Sequence, residues 1–206
     1  MAGYTLYSMQ NSGNCYKPRL LMHQLGIPFR LVDTDPGRGE TRKDEFRALN
    51  PNARVPLLVL PDGRALPESN AMLLYLAEGT PCLPADRYDR GTCYQWLFFE
   101  QYDHEPTIAV ARSWLSVYPD RIGKATPEQI AGWHQKGYKA LGVMEQRLKA
   151  HDWLAGNAYS VADIALYAYT HVADEGGFDL TDYPGIRGWL ARVASTPGFV
   201  PMDWRP

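Results

Sequence analysis

Arg54-Val55-Pro56-Leu57-Leu58-Val59-Leu60-Pro61-Asp62-Gly63-Arg64-Ala65-Leu66-Pro67-Glu68-Ser69 is the stretch that decides the fold. Two short apolar runs flank Asp62-Gly63, and the glycine accepts the positive φ of a tight hairpin turn. The segment therefore reads as strand, turn, strand. Glu68-Ser69 stands just before the helical run Ala71-Met72-Leu73-Leu74-Tyr75-Leu76. That order puts a carboxylate, a hydroxyl and several unpaired backbone N–H groups at one helix N-terminus. Such a corner suits the carboxylate and ammonium of an amino acid. Val55-Pro56 lies at the mouth of the first strand. A cis bond there would leave the Val55 main chain open to an extended peptide.

Upstream, Tyr4–Ser8 has strand composition. A helix is expected from about Lys17 to Leu25, stopped by Gly26 and Pro28. Pro18 belongs in a first turn, which places the start near Asn14 to Lys17. Phe29–Asp33 forms a second strand, Thr34–Arg42 a polar loop, and Asp44–Leu49 a short helix closed by Asn50-Pro51. The order β-α-β-α-β-β-α resembles the thioredoxin-like arrangement, a mixed four-stranded sheet with helical crossovers. Beyond a proline-containing linker at 80–86 the pattern is helical throughout. Arg87–Leu115 carries a bend at Pro106. Thr126-Pro127 opens a helix to about Ala150. Ser160-Val161-Ala162-Asp163 is a capping box, and a last helix covers Ile186–Ala194. The expected organisation is thus a thioredoxin-like domain at 1–79 and an all-helical domain at 87–206.

With 206 residues and 45% hydrophobic content, the chain can build real cores. A net charge of −2 with scattered Lys and Arg argues against a nucleic-acid partner. No window is apolar enough for a membrane span, and MAGYTLYS lacks the make-up of a signal peptide. Cys15, Cys82 and Cys93 have no metal-type spacing and leave an odd thiol in any disulfide scheme, which points to a cytoplasmic setting. No metal is expected.

Val55-Pro56 ahead of a hairpin, with Glu68-Ser69 opening a helix, resembles the glutathione-binding half of the cytosolic glutathione transferases. The likeness covers essentially the whole chain and is nearest to bacterial, serine-type members. It implies a cis Pro56, Val55 main-chain pairing with the cysteinyl part of glutathione, and Glu68 and Ser69 on the γ-glutamyl end. Arg42 and Arg54 are the cations implied for the glycine carboxylate.

Such an enzyme must turn a thiol of pKa about 8.5 into a thiolate near neutral pH, worth roughly 2.7 kcal/mol for two units. A hydrogen-bond donor between the first strand and first helix would do this. Ser12 is the leading candidate, five residues before Lys17 as in the serine-type enzymes. Asn14 and Tyr7 are alternatives, and Cys15 would bring disulfide chemistry instead. For a hydrophobic electrophile, the resemblance points to Gln10 and Asn11 after the first strand. On the long helix it points to Tyr102, Glu105, Ile108 and Arg112, which recur at helical spacing.

The implied function is attack of the glutathione thiol on such an electrophile. A glutathione-dependent peroxidase or disulfide reductase is the alternative within the same site. A non-catalytic binding or scaffold protein is the alternative of another class. The resemblance further implies a homodimer, with Glu100 or Asp103 reaching the partner's glutathione.

Overall fold

The computed structural model describes residues 3–206. Two compact units divide the chain. One runs up to Glu78 and takes in Pro197–Pro206; the other is Gly79–Thr196. The last ten residues therefore leave the helical domain, to which 87–206 had been expected to belong, and pack on the first unit.

In the first unit, β1 (Tyr4–Ser8) pairs in parallel with β2 (Phe29–Asp33) and antiparallel with β3 (Leu57–Val59). β4 (Ala65–Pro67) closes the hairpin on β3, giving the order β2-β1-β3-β4. The parallel pair demands a crossover, and α1 (Gly13–Gln24) supplies it. Alternation along β1 buries Leu6 and Ser8 on one face and turns Tyr7 to the other. There Tyr7 meets Phe46 of α2 (Asp44–Leu49) edge to face at 5.6 Å. The opposite face carries α1 and α3 (Ser69–Ala77), which pack together over Leu6, Leu20, Leu21, Leu58, Met72 and Leu73, all fully buried. Two short 3-10 turns, Pro36–Arg38 and Glu40–Arg42, occupy the expected Thr34–Arg42 loop.

The start of α1 differs from expectation for a local reason. The Ser12 hydroxyl accepts from Cys15 N at 3.3 Å and fixes the first helical residue at Gly13. Pro18 consequently lies in the second turn, not the first, and has no N–H to offer the carbonyl four residues back.

In the helical unit, α4 (Arg87–Phe99) and α5 (Glu105–Arg112) are joined by a π-helical turn at Glu100–His104. This turn is the form the bend at Pro106 takes. The proline ring would strike the carbonyl four residues back in a regular helix, and the wider π turn relieves that contact. A second π turn, Ser113–Val117, follows. α6 is Pro127–Leu148, α7 Val161–Thr170 and α8 Pro184–Ala194. Every residue of α7 is buried. Its capping box is complete: Asp163 accepts from Ser160 N at 2.9 Å, from Leu154 N at 3.0 Å and from Trp189 Nε1 at 2.9 Å. Burial outweighs those donors and raises the Asp163 carboxyl to about 6. No helix among the described residues is long and apolar enough to cross a membrane.

Candidate functional site

The hairpin delivers two unusual backbone features to one end of the sheet. The Val55–Pro56 peptide is cis, and Glu68 has φ 71° and ψ 115°. Left-handed φ at a residue with a Cβ is uncommon and marks an imposed conformation. Glu68 is the N-cap of α3, yet its side chain caps nothing. Simple helix capping therefore does not explain the Glu68-Ser69 pair. The Val55 N–H and C=O make no hydrogen bond among the described residues.

Ser69 is buried and donates its hydroxyl to Asn14 Oδ1 at 3.0 Å. Lys17, fully buried on α1, sends its ammonium to Asn14 Oδ1 at 2.7 Å, Asn70 Oδ1 at 3.2 Å and Ser69 Oγ at 3.3 Å. An ammonium only donates, so the oxygen of the Asn14 amide must face it. The planar amide then turns its NH2 away from Lys17 and Ser69. Lys17 and Asn70 were missed as members of the site. The only trace in the sequence was the Ser12–Lys17 interval, and burial of a lysine cannot be read from spacing.

Of the four sulfur-side candidates, Ser12 and Asn14 lie together at the head of α1, Ser12 as cap and Asn14 within the cluster. Tyr7 sits elsewhere, on the α2 side of the sheet, where it lines a 340 Å³ groove with Thr34, Glu40, Lys43 and Phe46. Cys15 is fully buried and its sulfur accepts from Met9 N at 3.3 Å. Burial also pushes its thiol pKa up, the reverse of what a nucleophile needs. Arg42 and Arg54 are exposed and form no ion pair among the described residues. Asn50 Nδ2 holds the Arg54 carbonyl at 2.9 Å.

The expected electrophile strip does not stay on one face. Tyr102 is 84% exposed while Ile108 is fully buried and Arg112 is nearly so. The π turn between them adds a residue and rotates the helical register, so a spacing counted across it fails. Ile108 packs in the core beside Gly137, and Arg112 is held by Glu175 at 2.9 Å. Glu105 accepts from Gln101 at 2.6 Å. Tyr102 and Asp103 instead line a 650 Å³ groove with Phe99, Trp133, Lys136 and Val143. Glu100, by contrast, is buried within its own unit. In the first unit, Asn11 is exposed and Gln10 is tied to the chain's last residues.

A thioredoxin-like sheet with a cis-proline corner, followed by an all-helical unit, defines the two-domain architecture of glutathione-binding proteins. Family models agree. Residues 11–78 match the glutathione S-transferase N-terminal domain and residues 124–197 the C-terminal domain. A possible glutathione S-transferase from Rhodopseudomonas palustris is 49% identical, covering 98% of this chain and 99% of that one at a TM-score of 0.95. The disulfide-bond oxidoreductase YfcG of Escherichia coli is 30% identical over 89% of this chain and 87% of its own length. Ure2p in complex with glutathione is 26% identical, covering 96% of this chain and 91% of that one, with a TM-score of 0.85. This chain belongs to the glutathione S-transferase family.

Proposed function

We propose that this protein binds reduced glutathione at the Val55–Glu68–Ser69 corner and joins it through sulfur to a hydrophobic electrophile. The observation that carries the reading is the Asn14–Lys17–Ser69 cluster beside a left-handed Glu68. Glu68 and the α3 N-terminus take the γ-glutamyl ammonium and carboxylate. Val55 pairs with the cysteinyl main chain, and Arg42 or Arg54 meets the glycine carboxylate. The Asn14 amide, its oxygen committed to Lys17 and Ser69, presents its NH2 as the donor to sulfur. Ser12 stays the alternative donor, since its oxygen accepts the helix-cap bond and its hydroxyl proton is still there to give. The thiol proton leaves to solvent, the thiolate forms a C–S bond, and the departing group takes the electron pair. A dimer of two such chains in the cytoplasm is part of the same proposal.

Disulfide or peroxide reduction is the second reading, favoured by the likeness to YfcG. Because Cys15 is buried, two glutathione molecules would then supply both electrons and leave as glutathione disulfide.

Calorimetry with reduced glutathione tests the site, and turnover of an aryl halide against a disulfide substrate separates the two chemistries. Asn14→Ala should lower kcat by on the order of 10²-fold, the usual cost of one donor aimed at developing charge. Ser12→Ala should cost less than about tenfold. The reverse ranking returns the sulfur to Ser12; no glutathione uptake at millimolar ligand ends the proposal.

A further inference from the structure

The geometry points to a brace: Arg19, together with the main chain of Met202 and Trp204, is a positioning device that holds the Met9–Ser12 loop so that the Asn14 corner is aimed. The inference rests on the proposed sulfur role of that corner.

One nitrogen of Arg19 ties loop and tail together. Nη2 donates to Gln10 O at 2.8 Å and to Met202 O at 3.0 Å. Gln10 returns the connection, its Nε2 donating to Met202 O at 2.8 Å and Trp204 O at 3.3 Å. The loop so held is short and closed on itself, with Ser12 N on Met9 O at 3.2 Å and Met9 N on the Cys15 sulfur. Ser12 and Asn14 follow directly, so a displacement at Gln10 has no slack in which to dissipate. The tail is itself fixed along α1. Tyr16 Oη donates to Val200 O at 2.6 Å, the His23 ring bonds Gly198 O at 2.9 Å and lies 4.6 Å from the Trp204 ring, and Arg205 pairs with Asp33 at 2.7 Å.

Arg19 is a poor residue for stability alone. Its side chain is 1% exposed, it forms no ion pair among the described residues, and its Nε and Nη1 have no protein partner. A buried guanidinium without a carboxylate is costly, and burial lowers its pKa accordingly. Departures of this kind concentrate where function requires them. The proposed γ-glutamyl anchors Glu68 and Ser69 form no hydrogen bond with Arg19 or the tail among the described residues. Loss of the brace should therefore appear in sulfur activation and not in ligand affinity.

The test compares the full chain with a version ending at Pro201, with Gln10→Ala and with Arg19→Lys. Each is assayed for glutathione affinity by calorimetry, for the pKa of the bound thiol by ultraviolet titration, and for kcat. The shortened chain and Gln10→Ala should lose about tenfold in kcat and raise the bound thiol by about one unit, two measures of the same factor of ten. Glutathione affinity should change less than about threefold. Arg19→Lys, a point donor in place of a fork, should fall between. A folded shortened chain with wild-type kcat and thiol pKa overturns the brace, as does an equal loss of affinity and kcat. If the shortened chain does not fold, Gln10→Ala decides by the same criteria. If the intact protein takes up no glutathione, the site assignment fails first and the brace with it.

Discussion

Replacing Asp163 probes the centre of the helical unit, and the cost follows from its four donors. Oδ1 accepts from Leu154 N at 3.0 Å and Trp189 Nε1 at 2.9 Å, and Oδ2 from Ser160 N at 2.9 Å and Ser160 Oγ at 3.1 Å. Asp163→Ala strands three buried N–H groups, while the hydroxyl can rotate. At ~1–3 kcal/mol for each stranded donor, tempered by relaxation, the expected loss is about 4 kcal/mol. Asp163→Asn keeps the carbonyl for Leu154 and Trp189 but turns an NH2 toward Ser160 N. One stranded donor then costs about 1–3 kcal/mol.

The charge adds a pH signature. The folded carboxyl titrates at about 6, above the ~3.9 of an unfolded chain. The folded state therefore holds the proton more tightly. Stability linked to this group is full below pH ~4, declines as pH climbs to about 6, and stays at the lower level beyond. The gap between wild type and Asp163→Ala should consequently be about 1 kcal/mol wider at pH 5 than at pH 7.5. Urea unfolding followed by tryptophan fluorescence at the two pH values measures both effects. An Ala variant within about 1 kcal/mol of wild type, or a gap that widens at the higher pH, would refute the reasoning.

Other substitutions separate strain, packing and access. Glu68→Gly should raise Tm by a few degrees, because glycine adopts the φ of 71° without its penalty. The same change should weaken glutathione binding by more than about tenfold, the loss of a ~1.4 kcal/mol contact or larger; scanning and titration calorimetry read the two. Gly137→Ala should destabilise by about 1–3 kcal/mol because the new Cβ would strike the Phe178 ring. Gly142→Ala, in the same helix and with open space around it, should stabilise by up to about 1 kcal/mol in chemical denaturation. In the native protein an aromatic disulfide reagent should modify Cys82 before Cys15 or Cys93. Those two are fully buried, and burial raises the Cys93 thiol to about 11.

Features set by neighbouring residues were legible in the sequence. Asp62-Gly63 specified the hairpin, with Gly63 at φ 87°; Thr126 ahead of Pro127 and the Ser160–Asp163 capping box marked their helix starts, and the structure adds a second complete box between Thr126 and Gln129. Val55–Pro56 and Glu68-Ser69 drew the reading for the same reason, each being a short motif, and both carry unusual backbone geometry. The cluster that unites Asn14 and Lys17 with Ser69 was not legible, since its partners stand more than fifty positions apart and no periodicity encodes their meeting. Ile108 and Arg112 show the opposite fault. Helical spacing assigned them a shared face with Tyr102, but it could not reveal the π turn that breaks the count. The tail was illegible because Phe199-Val200-Pro201-Met202 has no repeat of either period, and its hydrogen bonds run through main-chain carbonyls that every residue carries.

Because Gly198–Arg205 completes a unit whose other parts precede residue 79, that unit is discontinuous in sequence. During synthesis the ribosome must finish the whole helical stretch before Tyr16 meets the Val200 carbonyl and Arg19 adds the Met202 carbonyl to that of Gln10. Until then the sheet and α1 lack the tail carbonyls to which both side chains donate. Expressing residues 3–78 alone would reproduce that unfinished state. A peptide spanning Pro197–Pro206, added in trans, would be the natural complement to restore it.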